Sequence, residues 1–271
     1  MNTQLEKTAH FRALHEGPGF VVANAWDAGS AKILAGMGFA ALATSSGAAA
    51  GILGRRDGQI SRDEALDHAS AIVAATNLPV SADLEKGFAD TPEAAAETYR
   101  LAAAIGLAGG SIEDASGNPA SPIYDFNHAV DRVAAAVAAA RASNTGFVLT
   151  ARSENHLRGV TDLDDTIRRL QAYEAAGADV LMAPGLPDLA AVRTVCAALG
   201  RPFNFMAGIP RRSFSVPELA ACGVRRISLA TSLYRAAMSS LILAAREVQQ
   251  TGMMTYIDTA LPSAEVNAYF G

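Results

Sequence analysis

Polar residues recur at the ends of short apolar runs along this chain. Asn24, Trp26 and Asp27 follow the first run, Thr44-Ser45-Ser46-Gly47 the second, Asp83-Leu84-Glu85 the third and Glu113-Asp114 the fourth. Arg152 and Glu154 follow the fifth and Ala183-Pro184 the sixth; Asn204 lies in the seventh, and Thr231-Ser232 follow the eighth. If the runs are neighbouring strands, Asp83, Glu85, Glu113 and Asp114 meet at one end. Carboxylates that close repel one another and lose hydration, unless something neutralises them. A hard divalent cation such as Mg2+ does so, because it takes oxygen ligands and keeps some of its waters. Taken singly, Asp114 or Glu85 could instead face the start of a following helix.

Arg152 is the cation of this group. Its planar fork suits a substrate carboxylate or phosphoryl group, or else an ion pair with Glu113 or Glu154. The Ser45-Ser46-Gly47 turn offers hydroxyls and backbone N–H groups to an anion, or is a plain loop. His156 titrates near neutral pH and could move a proton. His68 and His128 fall in helical patterns and are expected at the surface.

These groups need elements to hold them. The runs Phe20–Asn24, Phe39–Ala43, Pro79–Asp83 and Gly110–Glu113 are short, apolar and bounded by Gly, Pro or polar residues. So are Phe147–Ala151, Ala178–Met182, Pro202–Met206 and Arg226–Ala230, and all eight read as buried parallel strands. Helical patterns alternate with them: Ala28–Met37, Arg62–Thr76, Pro92–Ile105, Asn127–Ala142, Leu163–Ala176, Asp188–Leu199, Val216–Cys222 and Ser232–Gln250. Ser61, Thr91-Pro92 and Asp162 are start signals. Gly38, Gly106, Gly177, Gly200 and Gly223 are stop signals. Eight β/α units predict an α/β fold, a (β/α)8 TIM barrel, whose active site lies at the C-terminal strand ends. A doubly wound sheet would want a Gly-rich first turn, and Asn24-Ala-Trp-Asp-Ala-Gly29 is not one. The 271 residues therefore read as one domain, with 251–271 a tail that packs on its own barrel or on a neighbouring subunit.

Composition agrees. Half the residues are hydrophobic and 18% are charged, which excludes a disordered chain. A formal net charge of −5 without a basic block argues against nucleic-acid binding. No apolar run is long enough for a membrane span or a signal peptide, so a soluble, cytoplasmic protein is expected. Cys196 and Cys222 have no metal-ligand neighbours and read as small buried hydrophobes.

Together, Trp26-Asp-Ala-Gly-Ser-Ala-Lys32, Ser45-Ser46-Gly47, Leu53-Gly54-Arg-Arg-Asp57, Asp83-Leu-Glu85-Lys-Gly87-Phe88, Ile112-Glu113-Asp114, Ala151-Arg152-Ser-Glu154 and Gly223-Val-Arg-Arg-Ile-Ser228 resemble the isocitrate lyase/phosphoenolpyruvate mutase superfamily. The motifs occur in that family's order over nearly the whole chain. The resemblance implies a barrel whose final helix is swapped between subunits of a homo-oligomer, a dimer or tetramer. It implies Mg2+ (Mn2+ as an alternative) on Asp83, Glu85 and Glu113, with Asp57 in the outer shell. It anchors a small carboxylate substrate at Ser45, Ser46, Gly47 and Arg152, to which the polar strand ends add Trp26, Asp83 and Asn204 as substrate-binding candidates, and it implies an enolpyruvate intermediate stabilised by the metal.

The chain also departs from the family. The isocitrate and methylisocitrate lyases carry a Lys-Cys-Gly-His loop after the Glu-Asp pair. Here residues 115–125 read Ala-Ser-Gly-Asn-Pro-Ala-Ser-Pro-Ile-Tyr-Asp, with no Cys, Lys or His. Members that make or break C–P bonds place Lys and Asn there, and only Asn118 remains. Glu85 stands where Asp is more usual, and its longer stem would shift a metal contact, to a water for example. The expected activity is C–C bond cleavage in an α-oxo or 2-hydroxy carboxylate of oxaloacetate type. Arg152 and Glu113 would carry the chemistry, with water, Tyr124 or His156 as proton source. The alternatives are a mutase or hydrolase acting on a C–P bond and a non-catalytic barrel that binds carboxylates.

Overall fold

The computed structural model describes residues 2–210, 212 and 214–270. Eight parallel strands close in sequence order into a barrel, with the last paired to the first. They are β1 (Phe20–Asn24), β2 (Leu42–Ala43), β3 (Val80–Asp83), β4 (Gly109–Glu113), β5 (Val148–Arg152), β6 (Val180–Met182), β7 (Phe203–Met206) and β8 (Val224–Ser228). The first helix, α1 (Gln4–Glu16), precedes the barrel; α2 (Ala28–Gly36), α3 (Ser46–Ile52) and α4 (Arg62–Ala75) follow the first two strands. Then come α5 (Pro92–Ala104), α6 (Phe126–Ala142), α7 (Leu163–Ala175), α8 (Leu189–Ala197) and α9 (Val216–Ala221). The chain ends with α10 (Ser232–Thr251) and α11 (Ser263–Asn267). No described helix is long and apolar enough to cross a membrane.

The TIM-barrel expectation holds, and the local signals explain it. Ser61 and Glu64 form a capping box at α4, Thr91 caps α5 ahead of Pro92, and Asp162 caps α7. Gly38, Gly106, Gly177 and Gly223 all sit at positive φ between a helix and the next strand. Gly200 does not, although it occupies the same place in the pattern.

Three elements differ from expectation. The polar N-terminus forms α1, which starts with a Thr3–Glu6 capping box and plugs the barrel floor with Phe11, fully buried among Val22, Val148 and Val180. Ser46 and Gly47 lie within α3, not in a loop; the run Gly47-Ala48-Ala49-Ala50 continues a helix that Ser45 begins. β8 starts two residues earlier than expected, because Arg226 is not a boundary residue but a buried one, 5% exposed. Of the two thiols, Cys222 is buried and Cys196 only partly so; burial pushes the Cys196 thiol up to about 12.

Side chains alternate along each strand, so residues two apart share a face. Below Arg152 lies Thr150, below Asp83 lies Ser81, below Glu113 lies Ser111 and below Ser228 lies Arg226. The middle of the barrel is therefore polar. Arg226 reaches across it and donates to Asn204 Oδ1 at 2.8 Å and to Thr150 Oγ1 at 2.8 Å. It also lies 3.4 Å from His15 Nε2, whose Nδ1 is 2.7 Å from the Phe11 carbonyl. These contacts suit a neutral imidazole that donates from Nδ1 and accepts at Nε2.

Candidate active site

Asp83 and Glu113 stand at the ends of their strands, Glu85 and Asp114 in the turns just after them, and Asp57 in the connection between α3 and α4. Asp83 ends β3. Its carboxylate accepts from the Ser46 backbone N–H at 3.2 Å, from the Glu85 N–H at 3.3 Å and from Arg152 Nη1 at 3.0 Å. Its own N–H donates to Thr44 Oγ1 at 3.0 Å, so β2 and β3 are tied together at the mouth. Ser46 thus contributes its amide, presented by the first turn of α3.

Arg152 ends β5, paired directly with Glu113 of β4. Its Nη2 lies 2.6 Å from Glu154 Oε1 and 3.2 Å from Glu113 Oε2. Burial works against its charge, but Glu154, Glu113 and Asp83 together push its pKa well above the usual range. Glu113 moves the other way. Burial is the main cause of its strongly raised pKa; Arg152 opposes this, and Glu154 and Asp83 add to it. Arg158 adds a second cation 3.6 Å from both Glu113 and Glu154.

Asp114 faces away from the mouth. It accepts from the Glu154 N–H at 2.8 Å and from Tyr173 Oη at 2.7 Å, and it pairs with Arg169 at 3.4 Å. It is neither a helix cap nor part of the acidic rim. It locks the Glu154 backbone in place, and Glu154 in turn grips Arg152.

Glu85 lies one turn beyond β3 at φ +49°, in a stretch where Gly87 and Phe88 are also left-handed. Its Oε1 is buried with no hydrogen-bond partner. Burial, then Asp83 and Asp57, push its carboxyl up to about 7.

A cavity of about 720 Å³ opens at this end of the barrel. Ser45, Ser46, Asp57, Asp83, Glu85, Glu113, Arg152 and Asn204 all line it, as expected. Trp26, Gly47, Tyr124 and His156 are not among its lining residues. Trp26 stacks edge-on against Tyr234 of α10. Gly47 is a spacer: a Cβ there would meet Thr231 Cγ2 at 2.9 Å and Asp57 Oδ2 at 3.3 Å. Tyr124 donates to Asp90. His156 sits in a 3-10 turn, its Nε2 buried without a partner, and packs beside Gly185. His68 is not a free surface residue; its Nε2 lies 2.9 Å from the Trp26 carbonyl oxygen.

Sequence reasoning missed Lys86, Arg158 and Arg226, which also line the cavity. Counting back two residues from Ser228 would have found Arg226. Lys86 carried no such signal, because it follows the strand in a turn of irregular backbone.

As turned here, no three acidic, imidazole or thiol groups among the described residues stand close enough to cage a cation. Asp83 and Glu113 point at Arg152 instead. The donor set still suits a hard divalent ion: it is all oxygen, and Glu85 Oε1 is buried with no partner.

A family model described as phosphoenolpyruvate phosphomutase matches residues 11–249. A crystal structure from Burkholderia cenocepacia J2315, classed only as a lyase/mutase, is 50% identical, with TM-score 0.96 over 99% of this chain and 96% of that one. An oxaloacetate decarboxylase of Bradyrhizobium diazoefficiens is 30% identical over 79% of this chain and 75% of its own. A 2-methylisocitrate lyase of Shewanella oneidensis is 28% identical over 79% and 75%.

Proposed function

The chain belongs to the isocitrate lyase/phosphoenolpyruvate mutase superfamily, and from that premise we propose that it is a Mg2+-dependent lyase. Its reaction cleaves a C–C bond of an α-oxo or 2-hydroxy carboxylate of oxaloacetate type. The observation that carries this reading is the Asp83–Arg152–Glu113 contact at the mouth of a polar cavity. Relatives named for oxaloacetate decarboxylation and methylisocitrate cleavage support it.

Asp83, Glu85 and Glu113 would hold the metal (Mn2+ in place of Mg2+ is compatible with the same oxygens), with Asp57 in the outer shell. When bound, the ion supplies Lewis-acid stabilisation of negative charge on the substrate oxygens. The chain's own groups do the rest. Ser45 and Ser46 line the wall against which the substrate carboxylate lies. Arg152, clamped by Glu154, presents a fixed positive charge toward the oxygen at C2. In an α-oxo acid such as oxaloacetate, C3 keeps the bonding pair as CO2 departs, and a preorganised guanidinium stabilises the resulting enolate without reorganising. In a 2-hydroxy acid, water takes the hydroxyl proton, C2 becomes the carbonyl carbon and the departing C3 carries away the bonding pair. Neither Tyr124 nor His156 lines the cavity, so the proton that returns to carbon is assigned to water.

The cation under the 115–125 loop, Lys86, suits a phosphoryl group as well, and this favours C–P cleavage as the second reading. We also assign a homo-oligomer to the exposed apolar face of α10, with a swapped helix, and a cytoplasmic location.

A substrate panel with Mg2+, and again with EDTA, tests the function. Pyruvate release from oxaloacetate or a 2-alkylmalate is expected, lost with EDTA and reduced on the order of 10³-fold in Asp83→Ala. Turnover of phosphonopyruvate alone would move the assignment to C–P chemistry. Tight oxalate binding with no turnover of any oxo acid would leave a binding protein.

A further inference from the structure

Four described basic side chains line the cavity: Lys86, Arg152, Arg158 and Arg226. Three are committed to the protein. Arg152 pairs with three carboxylates, all of them largely or wholly buried. Arg158 shares Glu113 and Glu154 with it. Arg226 is bound to Asn204, Thr150 and His15 in the middle of the barrel. Lys86 differs. Its one acidic partner, Asp90 at 2.6 Å, has a side chain 72% exposed. An ion pair that open to water contributes only about 0–1 kcal/mol, so a substrate anion can displace Asp90 at little cost.

The rest of the ammonium is spent on the loop over the cavity. Lys86 Nζ donates to the Ser116 carbonyl at 3.0 Å and lies 3.4 Å from Tyr124 Oη. That loop is a small flap, closed at its base by a bridge between Ala115 and Ile123. Gly117 of the flap lies directly over Nζ: a Cβ there would meet it at 3.8 Å. The flap itself, residues 115–125, carries no Lys, Arg or His. The turn that presents Lys86 is fixed from below. Arg132, 1% exposed, donates to the carbonyls of Lys86, Ala89 and Asp90.

We propose that Lys86 is the specificity-determining residue that receives the anionic group carried on the substrate's C3. This rests on the proposed reading of the site as one for oxo and hydroxy acids. An ammonium has three donors. Exchanging Asp90 for a substrate carboxylate leaves the bonds to the flap in place, so binding this group and holding the flap down are one event. The substrate class is then an acid with a second anionic group beyond the carboxylate at Ser45 and Ser46, a C4 dicarboxylate being the simplest.

The test compares matched ligands by calorimetry: malate, which has a carboxylate on C3, and 2-hydroxybutyrate, which has a methyl there. Wild type is expected to bind malate at least tenfold more tightly. Lys86→Met should erase that preference by weakening malate at least tenfold, with 2-hydroxybutyrate and oxalate binding changed no more than about twofold through the lost flap contacts, and Lys86→Arg should restore much of it. In turnover, KM for oxaloacetate should rise about tenfold with kcat not reduced, because the carboxylate that Lys86 holds loses its charge as it departs and the contact belongs to the ground state. A preference that survives in Lys86→Met, or one absent from wild type, overturns the proposal. So does equal weakening of malate and oxalate. If phosphonopyruvate replaces oxaloacetate as substrate and shows the same Lys86 dependence, the role of Lys86 stands while the C–C reading falls.

Discussion

Glu85 is the least compensated carboxylate at the mouth, and its energetics are testable apart from turnover. Its pKa is pushed up to about 7, above that of an unfolded glutamate. Between these two values the folded metal-free chain binds more protons than the unfolded one, so stability must fall as pH rises through that window. Glu85→Gln removes the penalty. The metal-free variant is expected to melt higher than wild type at pH 8 and equally at pH 5, measured by thermal scans in EDTA. Mg2+ should raise the wild-type melting temperature at pH 8 and raise the variant's less, because one of the proposed oxygen ligands has become an amide. Asp83 and Glu113 were legible in sequence because each ends an apolar strand, where alternation alone aims it inward; the same alternation turns Asp114, one residue on, away from the mouth. Tyr124, Trp26 and His156 lie in connections with no such period, and their expected place at the cavity was not met.

At the scale of elements, α1 shows how tertiary context outweighs a local pattern. Its sequence is polar and short, yet Phe11 and His15 turn it into the barrel's floor. His15, 6% exposed, is held neutral with its pKa lowered to about 3, mainly by burial and then by Arg226. Below the ordinary histidine pKa the unfolded chain takes up a proton that the folded chain refuses. Stability should therefore fall from about pH 6.5 toward pH 3, by about 3 kcal/mol at pH 4 from this group alone. Urea unfolding of wild type and His15→Gln across that range should show a shallower acid decline in the variant. The β4–α7 contact gives a second case. Tyr173→Phe deprives buried Asp114 of its 2.7 Å hydrogen bond and should cost about 1–3 kcal/mol in urea unfolding. Activity should stay within a few-fold, because Arg169 and the Glu154 amide still hold Asp114. Most helices and strands were legible because caps and glycines punctuate them, with observed ends within about two residues of the expected ones. α3 was not, because a serine–glycine–alanine run reads equally as a turn, and only its packing under Tyr234 and beside Asp57 settles it.

The whole molecule presents one surface that its own barrel does not satisfy. α10 has twenty residues and none is buried. Leu241, Ile242 and Leu243 are 60%, 49% and 64% exposed, and Val248 is 38% exposed. A helix with so much apolar surface in water gains little from its own chain and invites association. Its root, by contrast, belongs to the active site. Thr231 lines the cavity, and Tyr234 stacks on Trp26 and closes over Gly51. Assembly through α10 would therefore bear directly on the wall of the mouth. Leu241 and Val248 are seven residues apart and share a face of the helix. Leu241→Glu combined with Val248→Glu places two charges in the proposed interface, where neither finds a partner. Light scattering at micromolar concentration should report a dimer or tetramer for wild type and a monomer for the double variant. The monomer should keep its barrel by circular dichroism but lose activity at least several-fold, because the helix that braces Trp26 and Thr231 is no longer held. An unchanged mass in the double variant would assign the interface elsewhere. A monomer with full activity would show that the mouth is built by one chain alone.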